Sequence, residues 1–421
     1  MSQPLRLGIA GLGTVGMGVV KIVRQQAALL SARTGRDITI SAVSARSKDK
    51  DRGISLSDYA WETDPVALAK RDDVDVFVEL MGGEDGPAKD ATEAALAAGK
   101  HVITANKAML AMHGQALAEQ AEAAQRSLRF EAAVAGGIPV IKVLTEGLAG
   151  NGITRVMGVM NGSCNYILSY QDVFAEADGL GYLEADPQLD VGGIDAAHKL
   201  AILSSIAFGT RVDFAGIELE GIERISIEDI RAAADMGFKI KLLGVAQKTG
   251  RGLEQRMQPC LVPDTSPLGQ LQGGTNMIVL EGDAVEQIVL RGPGAGAGPT
   301  ASAVMSDVCD IARGLSLPVF GQPATTLEAA KPALSVLPAP YYLRMGLVDK
   351  PGALAKVAAA LGEAGVSIER MRQYGHADLE AAQVLIVTHK TTRASLDVAI
   401  EAMEGTGVLA QAPVALRIEH L

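Results

Sequence analysis

Four carboxylates and one lysine lie close together in the middle of the chain, in GYLEADPQLDVGGIDAAHKL at 181–200. These residues are Glu184, Asp186, Asp190, Asp195 and Lys199. Asp195 and Lys199 have i,i+4 spacing, so on a helix they share one face and can flank the same ligand. The segment therefore has two interpretations. It is either a ligand site or a solvated acidic loop that carries an ordinary surface ion pair.

The first third of the chain alternates strand-like runs with alanine-rich helical segments. The strand candidates are LRLGIA (5–10), ITISAV (38–43), VDVFVEL (74–80), HVIT (101–104) and LRFEAA (128–133). Such alternation predicts a parallel sheet with right-handed crossovers. We therefore expect an α/β protein whose residues 1–150 form a Rossmann-type, dinucleotide-binding domain.

The remainder of the chain predicts two further domains. Residues 151–299 mix alternating strands with helices and predict an α+β domain. The glycine-rich loop 292–299 leads into a helix that would complete the first domain at about 300–330. Residues 318–340 contain five prolines and predict a linker. Residues 341–421 have the element order βαββαβ of a compact domain.

Composition excludes several classes of protein. The chain has 421 residues and a net charge of -11, which argues against a nucleic-acid partner. Its three cysteines are far apart and form no CxxC pair, which fits a reducing, cytoplasmic setting. No apolar run approaches the ~20 residues that a membrane span needs, so we expect a soluble protein without a membrane partner.

GLGTVG, between the first strand and the first helix, has the spacing of a dinucleotide-binding turn. Gly11 permits the tight turn, Gly13 lets the backbone approach a pyrophosphate, and Gly16 allows close helix–strand packing. The pyrophosphate would lie at the helix N-terminus, where N–H groups and the dipole favour an anion. The alternative is a glycine-rich turn that binds no ligand.

The end of the second strand indicates which dinucleotide is bound. Asp37 has the sequence distance of a ribose-binding acid, but it precedes this strand. The strand is instead followed by Arg46, Lys48 and Lys50. Cations suit a 2′-phosphate, so NADP(H) is favoured, with NAD(H) as the alternative. The other interpretation of Arg46 is a solvated surface residue.

Several motifs occur in the order typical of one enzyme family. They are GLGTVG (11–16), VFVELMGG (76–83), TANKAML (104–110), FEAAVAGGIPVI (130–141), NGSCNYIL (161–168) and GYLEADPQLDVGGIDAAHK (181–199). Over residues 5–330 the chain resembles the homoserine dehydrogenase family, and VDKPGALAKVAAALGEAGVSI (348–368) resembles an ACT domain. No kinase domain precedes the dehydrogenase region, so the resemblance implies the monofunctional form.

The resemblance implies an enzyme that interconverts L-homoserine and L-aspartate 4-semialdehyde in threonine, methionine and isoleucine biosynthesis. The implied catalytic residues are Lys199, which exchanges the proton of the substrate oxygen, and Lys107, which stabilises its charge. The implied substrate-binding residues are Glu184, Asp190, Asp195, Gly181 and Ser163. The implied cofactor-binding residues are Gly11, Leu12, Gly13, Thr14, Val15, Gly16, Arg46, Thr104, Lys107 and Gly296. The implied monovalent-cation ligands, for Na⁺ or K⁺, are carbonyls of Glu131, Val134, Gly136 and Ile138.

The resemblance also implies partners. In the family, residues 151–299 carry substrate binding, catalysis and dimerisation, and the protein forms a homodimer or homotetramer. An amino-acid effector, L-threonine in relatives, would bind the ACT domain at the turn that contains Asp349 and Gly352. Ser367 stands where asparagine is frequent in amino-acid-binding ACT domains. A purely structural or dimerising role for this domain therefore stays open.

Three alternative functions compete with this interpretation. A semialdehyde or glyceraldehyde-phosphate type of dehydrogenase would need a thiolate, for which Cys164 is the candidate. A phosphoglycerate type of dehydrogenase would need a histidine–carboxylate pair, for which only His198 stands near. A cofactor-sensing binding protein would have no reason to keep both Lys107 and Lys199 with the acids. The alternative interpretation of Lys107 by itself is a cation at a helix N-terminus that has no functional role.

Overall fold

The computed structural model describes residues 3–169, 187–333, 337–374 and 381–420. Its first sheet has six parallel strands in the order β3-β2-β1-β4-β5-β6. The strands are β1 (Leu5–Ala10), β2 (Ile38–Ser44), β3 (Ala60–Glu62), β4 (Val76–Glu79), β5 (His101–Thr104) and β6 (Leu128–Arg129). The helices between them are α1 (Thr14–Gln25), α2 (Ala27–Thr34), α3 (Pro65–Ala69), α4 (Pro87–Ala97) and α5 (Lys107–Ala123).

The central strands of this sheet are buried because helices cover both of its faces. Every residue of β4 is buried, as expected for a central parallel strand. A later helix, α11 (Ala297–Ala312), packs against α1 at Gly18. A Cβ on Gly18 would lie 2.7 Å from the carbonyl oxygen of Ala297, so the close approach of the two helices requires glycine there.

The second sheet has ten strands and continues from the middle of the chain into its C-terminal part. Its antiparallel portion runs β12-β11-β7-β9-β10, and β8 pairs with β10. These strands are β7 (Ile153–Val159), β8 (Glu218–Leu219), β9 (Phe238–Thr249), β10 (Gly252–Pro263), β11 (Thr275–Gly282) and β12 (Glu286–Pro293). The helices in this region are α6 (Val140–Lys142), α7 (Gly162–Ser169), α8 (Pro187–Val191), α9 (Ile194–Phe208) and α10 (Ile227–Asp235).

The C-terminal residues have the predicted βαββαβ order. The elements are β13 (Tyr341–Val348), α12 (Ala353–Glu363), β14 (Ile368–Tyr374), β15 (Ala381–Thr388), α13 (Arg393–Glu404) and β16 (Leu409–Ile418). The strand order is β16-β13-β15-β14. β16 also pairs in parallel with β10, through Cys260 with Arg417 and Leu261 with Ile418. The C-terminal strands therefore extend the sheet of the preceding domain.

Three sequence predictions are wrong in detail. The strand predicted at 128–133 ends at Arg129 and is followed by a 3₁₀ turn. The helical pattern MGVVKIVRQQAALL (17–30) breaks at Gln26 into two helices. The linker prediction fails for residues 318–333. Val319 and Ala324 are buried there, and their N–H groups donate to the Glu122 carboxylate at 3.1 and 2.8 Å. Apolar residues between the prolines pack on α5, because proline restricts the backbone without preventing burial.

Within the described ranges, no helix combines the length and the apolar character needed to cross a membrane.

Candidate active site

The glycine turn between β1 and α1 forms a cradle at a helix N-terminus. Gly11 has φ +98°, and a Cβ there would lie 2.3 Å from the Leu80 carbonyl oxygen. A Cβ on Gly16 would lie 2.0 Å from the carbonyl oxygen of Gly11, so Gly16 packs the helix onto the turn itself. Gly13 precedes α1 and faces open space. The turn is thus fixed on the protein side and free on the side where a pyrophosphate would bind.

The other residues of the turn are Leu12, Thr14 and Val15, of which Val15 lines the adjoining cleft. The end of β2 lies beside this turn, because the Gly11 N–H donates to the Ser44 carbonyl at 2.9 Å. Arg46 follows two residues later and is exposed. An unpredicted cation, Arg52, donates to the Leu12 carbonyl at 3.3 Å and lies 5.6 Å from the Trp61 ring centroid.

Two lysines from different elements contact one carboxylate. Asp195 lies in the first turn of α9, where its Oδ2 is 2.6 Å from Lys199 Nζ. Its Oδ1 is 2.9 Å from the Nζ of Lys107, the first residue of α5. Burial alone would raise the pKa of Asp195, but the charges of Lys199 and Lys107 outweigh it and hold this pKa below its usual range. The carboxylate therefore stays ionised between the two lysines.

The chain segment that follows β7 orients this group of charges. The carbonyl of Met160 accepts a hydrogen bond from Lys199 Nζ at 2.9 Å. The side-chain amide of Asn161 donates to Asp190 at 2.6 Å and to Asp195 at 3.0 Å. Asp190 and Asp195 are 2% and 5% exposed, so these bonds fix the two carboxylates in a largely dry setting.

A cleft of about 540 Å³ joins the lysine–carboxylate group to the glycine turn. Its lining includes Ser163, at the start of α7, and Gly136. It also includes Gly296, which precedes α11 and has φ 122°. The cleft is therefore formed by segments of both domains, with Val15 of the glycine turn on one side and α9 on the other.

Thr104 lies at the end of β5, beneath the cleft. It is buried, and its hydroxyl donates to the buried carboxylate of Glu79 at 2.5 Å. Glu79 also accepts the N–H of Met81 at 2.6 Å. Thr104 thus connects the ends of β4 and β5, immediately before the helix that begins with Lys107.

The proposed cation ligands lie in the segment from the 3₁₀ turn at Glu131–Ala133 to the start of α6. Ala135 and Gly136 have φ 57° and 53°, and the carbonyl of Ile138 accepts the Val140 N–H at 2.8 Å. Across the residues that the structure describes, no group of three His, Cys, Asp or Glu side chains could hold a metal. A cation at this turn would depend on main-chain carbonyls, of which Glu131, Val134, Gly136 and Ile138 are the candidates.

Glu131 has an unusual carboxylate. It is buried and accepts the N–H groups of Ile141 at 3.0 Å and Lys142 at 2.9 Å, while its own N–H donates to Asp307 at 2.9 Å. Burial, followed by the charge of Asp307, raises the pKa of Glu131 to about 8.

Cys164 and His198, the candidate catalytic residues of the two alternative dehydrogenases, are poorly placed for catalysis. Burial, reinforced by Asp190 and Asp195, raises the pKa of the Cys164 thiol, so the thiolate that a nucleophile requires is disfavoured. The His198 ring lies against Phe214 with centroids 4.5 Å apart, and burial lowers its pKa. Neither residue lines the cleft described above.

Two predicted substrate residues, Gly181 and Glu184, lie outside the described residues. Among the others, the structure brings Lys107, Asp190, Asp195, Lys199 and Ser163 to one cleft. Sequence reasoning missed Asn161, Asn276 and Arg52. Asn161 opens the motif NGSCNYIL and could have been found there, whereas Asn276 and Arg52 have no comparable signal in the sequence.

Comparisons with known proteins agree over the whole chain. The family model for homoserine dehydrogenase matches residues 139–309, its NAD-binding domain matches 11–131, and the ACT domain matches 341–407. The homoserine dehydrogenase of Neisseria gonorrhoeae is 42% identical, and the alignment covers 100% of this chain and 99% of that protein. That of Bacillus subtilis is 36% identical, with 99% of each covered.

Solved structures agree as well. A crystal structure of homoserine dehydrogenase from Thiobacillus denitrificans has a TM-score of 0.91 and 36% identity, and the match covers 99% of both chains. A hyperthermophilic archaeal homoserine dehydrogenase in complex with NADPH has a TM-score of 0.64 and 25% identity, and covers 75% of this chain and 99% of that one.

A parallel-sheet nucleotide domain, joined by a cleft to a lysine–carboxylate group, defines a nicotinamide-dependent oxidoreductase. The chain belongs to the homoserine dehydrogenase family. It is an NAD(P)-dependent oxidoreductase that acts on the CH–OH group of homoserine, in the biosynthesis of threonine, methionine and isoleucine.

Proposed function

We propose that Lys199 is the proton-transfer residue for the interconversion of L-homoserine and L-aspartate 4-semialdehyde. The observation that carries this proposal is the pair of contacts at Lys199 Nζ, 2.6 Å to Asp195 and 2.9 Å to the Met160 carbonyl. These contacts hold the amine at the cleft, where it can protonate the substrate oxygen in reduction and accept that proton in oxidation. Its side chain is 11% exposed, so bulk water does not compete freely for the proton.

We propose that Lys107 stabilises negative charge on the same oxygen. Its Nζ contacts the other oxygen of Asp195, and its side chain is 28% exposed on the cleft side. Asp190, Asp195, Glu184, Gly181 and Ser163 are the proposed substrate-binding residues. A carboxylate set suits the ammonium group of an amino-acid substrate, since buried charges need partners of opposite sign.

We propose NADP(H) as the preferred cofactor, held by Gly11, Leu12, Gly13, Thr14, Val15, Gly16, Arg46, Thr104, Lys107 and Gly296. When bound, the nicotinamide supplies or accepts the hydride. The cradle at Gly13 fits a pyrophosphate, and the cations Arg46 and Arg52 fit a 2′-phosphate beside it. The archaeal relative with NADPH bound supports the same choice.

Other proposals concern ligands beyond the substrate. We propose that Na⁺ or K⁺ binds carbonyls of Glu131, Val134, Gly136 and Ile138, and that this ion stabilises the turn that lines the cleft.

L-Threonine is the proposed effector at the turn containing Gly352, which has φ 84° and precedes α12. A shift of the melting temperature on adding L-threonine would support that assignment, and its absence would remove it.

We propose a cytoplasmic homodimer or homotetramer. The three cysteines are free thiols, two of them buried, which suits a reducing compartment. The edge strand β14 leaves Met371 43% exposed, which suits coverage by a second ACT domain. Size-exclusion chromatography with light scattering tests the oligomer.

A spectrophotometric assay at 340 nm, with L-homoserine and either NADP⁺ or NAD⁺, tests the function and the cofactor choice together. The expected result is turnover with both and a higher kcat/KM with NADP⁺. Arg46→Ala should lower kcat/KM for NADP⁺ about tenfold and leave that for NAD⁺ within twofold, because a charge-assisted bond to phosphate is lost. Arg33→Ala, on α2, is the matched control. Equal losses with both cofactors would overturn the assignment of Arg46.

A further inference from the structure

One buried amide in the cleft has an unused acceptor. Asn276, the second residue of β11, is 1% exposed and lines the cleft. Its Nδ2 donates to the carbonyl of Met160 at 3.0 Å. Its Oδ1 is buried without a hydrogen-bond partner among the described residues. An unsatisfied buried acceptor is costly, and in a ligand cleft it indicates a donor that arrives with the ligand.

The orientation of this amide follows from chemistry. The Met160 carbonyl accepts hydrogen bonds and donates none, so it must face the NH₂ group of Asn276. The reversed amide would place two acceptors against each other. Oδ1 is therefore the atom left for a ligand, and the ligand group that meets it must be a donor.

Met160 connects Asn276 to the proton-transfer residue. The same carbonyl oxygen accepts Lys199 Nζ at 2.9 Å and Asn276 Nδ2 at 3.0 Å. Asn276 and Lys199, the proposed proton-transfer residue, thus donate to the same carbonyl oxygen. A ligand group bound by Oδ1 would lie in the reacting part of the cleft.

The glycine-rich loop before α11 fixes the amide from the other side. A Cβ on Gly294 would lie 2.1 Å from Nδ2 and 2.5 Å from Oδ1 of Asn276, and only glycine leaves room for the amide in this position. Gly294 also lines the cleft. The side chain is therefore held between the Met160 carbonyl and the backbone of this loop.

We infer that Asn276 is a ligand-binding residue whose Oδ1 accepts a hydrogen bond from an N–H group of the bound reactants. Two N–H donors enter this cleft, the ammonium of the amino-acid substrate and the carboxamide of the nicotinamide. Both offer the same chemistry to Oδ1. The inference rests on the proposed function, because it takes the cleft to hold both molecules.

The test compares Asn276→Leu, which keeps the side-chain shape and removes both polar atoms, with Asn151→Leu as the matched control. Asn151 also has a buried Oδ1 without a partner within the described ranges, but it lines a separate pocket beside Leu148. NADPH affinity is measured by fluorescence titration, which requires no turnover, and KM for L-homoserine by steady-state kinetics.

Asn276→Leu should weaken one ligand about tenfold, the loss expected when a buried acceptor is removed from a ligand N–H. A tenfold rise in the Kd for NADPH assigns the donor to the carboxamide. A tenfold rise in KM for L-homoserine with unchanged NADPH affinity assigns it to the ammonium. Changes below twofold in both, matching Asn151→Leu, would overturn the inference.

A second variant covers the case in which Asn276→Leu does not fold. Gly294→Ala keeps the Asn276 residue itself but displaces its side-chain amide, and it should weaken the same ligand. Unchanged affinity for both ligands in Gly294→Ala would also overturn the inference. Absence of turnover in the unaltered protein would count against the proposed function instead of this inference. The two failures can be told apart because the NADPH titration measures the effect of Asn276 on cofactor affinity without turnover.

Discussion

Among the described residues, two of the buried clusters of charged side chains differ in what lies beside them. The cleft cluster consists of Lys107, Asp195 and Lys199, and the 28% exposure of Lys107 opens it to the cavity. The junction cluster consists of Glu254, Arg256, Arg417 and Glu419, where β10 meets β16. In the junction cluster, Arg256 and Glu254 are each 1% exposed.

The two clusters also differ in how their charges are balanced. In the junction cluster, Arg256 pairs with Glu254 and Glu419, and Arg417 contacts Glu419 at 2.7 Å. Burial would raise the pKa of Glu419, but the arginines outweigh it and lower this pKa. In the cleft cluster, Asp195 lies between two lysines at the wall of the cavity, where a ligand can reach them. A closed cluster therefore holds two domains together, whereas an open one can act on a substrate.

Lys199→Ala should have the largest effect. Turnover should fall about a thousandfold, since general acid–base catalysis contributes 10²–10⁴-fold. Stability should change by less than about 1 kcal/mol, because Asp195 keeps Lys107 and Asn161 as partners. NADPH affinity should stay within about threefold, since the amine is not part of the cradle. Steady-state kinetics, urea unfolding and NADPH titration measure the three quantities.

Lys89→Ala is the control for this variant. Lys89 forms an i,i+4 pair with Glu93 at 2.8 Å, on the outer side of α4. It represents the ordinary ion pair that the spacing of Asp195 and Lys199 also allows. If both variants retain normal turnover, the cleft cluster is no more than such a pair.

Arg256→Met should give the reverse pattern. It leaves Glu254 buried without its arginine, and we expect a loss of about 3 kcal/mol in the free energy of unfolding. Turnover per folded molecule should stay within about twofold, because no residue of the junction cluster lines the cleft. Urea unfolding and an assay at low temperature measure the two effects.

Arg372→Ala is the control at a separate contact between the C-terminal domain and the preceding one, where β14 meets the end of α10. Arg372 contacts Asp235 at 2.7 Å, but the two side chains are 50% and 44% exposed. Its loss should cost less than about 1 kcal/mol, as for other exposed pairs. A collapse of turnover in Arg256→Met, with stability unchanged, would contradict the division between the two clusters.

Glu131→Gln should change how the stability of the protein depends on pH. The pKa of Glu131 is raised to about 8, so between its unfolded pKa and pH 8 the folded protein holds a proton that the unfolded chain has lost. Stability should therefore fall as pH rises through this window, by at most about 1.4 kcal/mol per pH unit from this group. The variant should flatten that decline.

Glu419 gives the opposite sign and serves as the comparison. Its folded pKa is lowered, so its stabilisation is present above the unfolded pKa and is lost as pH falls through the folded pKa. Unfolding measured from below pH 4 up to pH 9 separates the two groups. An unchanged decline between pH 5 and 8 in Glu131→Gln would contradict the account of Glu131.

The sequence could predict those parts of the fold and site that depend on local spacing. The glycine turn, the lysine after β5 and the Asp195–Lys199 pair are each encoded within one element and its flanks. The pairing of β16 with β10 is not encoded locally, because its partners are more than 150 residues apart, as Cys260 and Arg417 are. Register between distant strands depends on the assembled core.

The same reason explains the residues that the sequence did not indicate. The side chain of Asn276 is positioned by Met160 and Gly294, which belong to two other segments of the chain. Arg52 reaches the glycine turn from a loop after β2. The failure of the linker prediction at 318–333 is of the same kind, because Glu122 on α5 supplies the contacts that order the segment.

A crystal structure with L-homoserine and NADP⁺ bound tests the central claim most directly. The account predicts Lys199 Nζ within about 3.2 Å of the substrate hydroxyl oxygen, with its contact to Asp195 retained. A substrate bound in the cleft with its hydroxyl held by another side chain, and with Lys199 beyond the reach of a hydrogen bond or one bridging water, would contradict it.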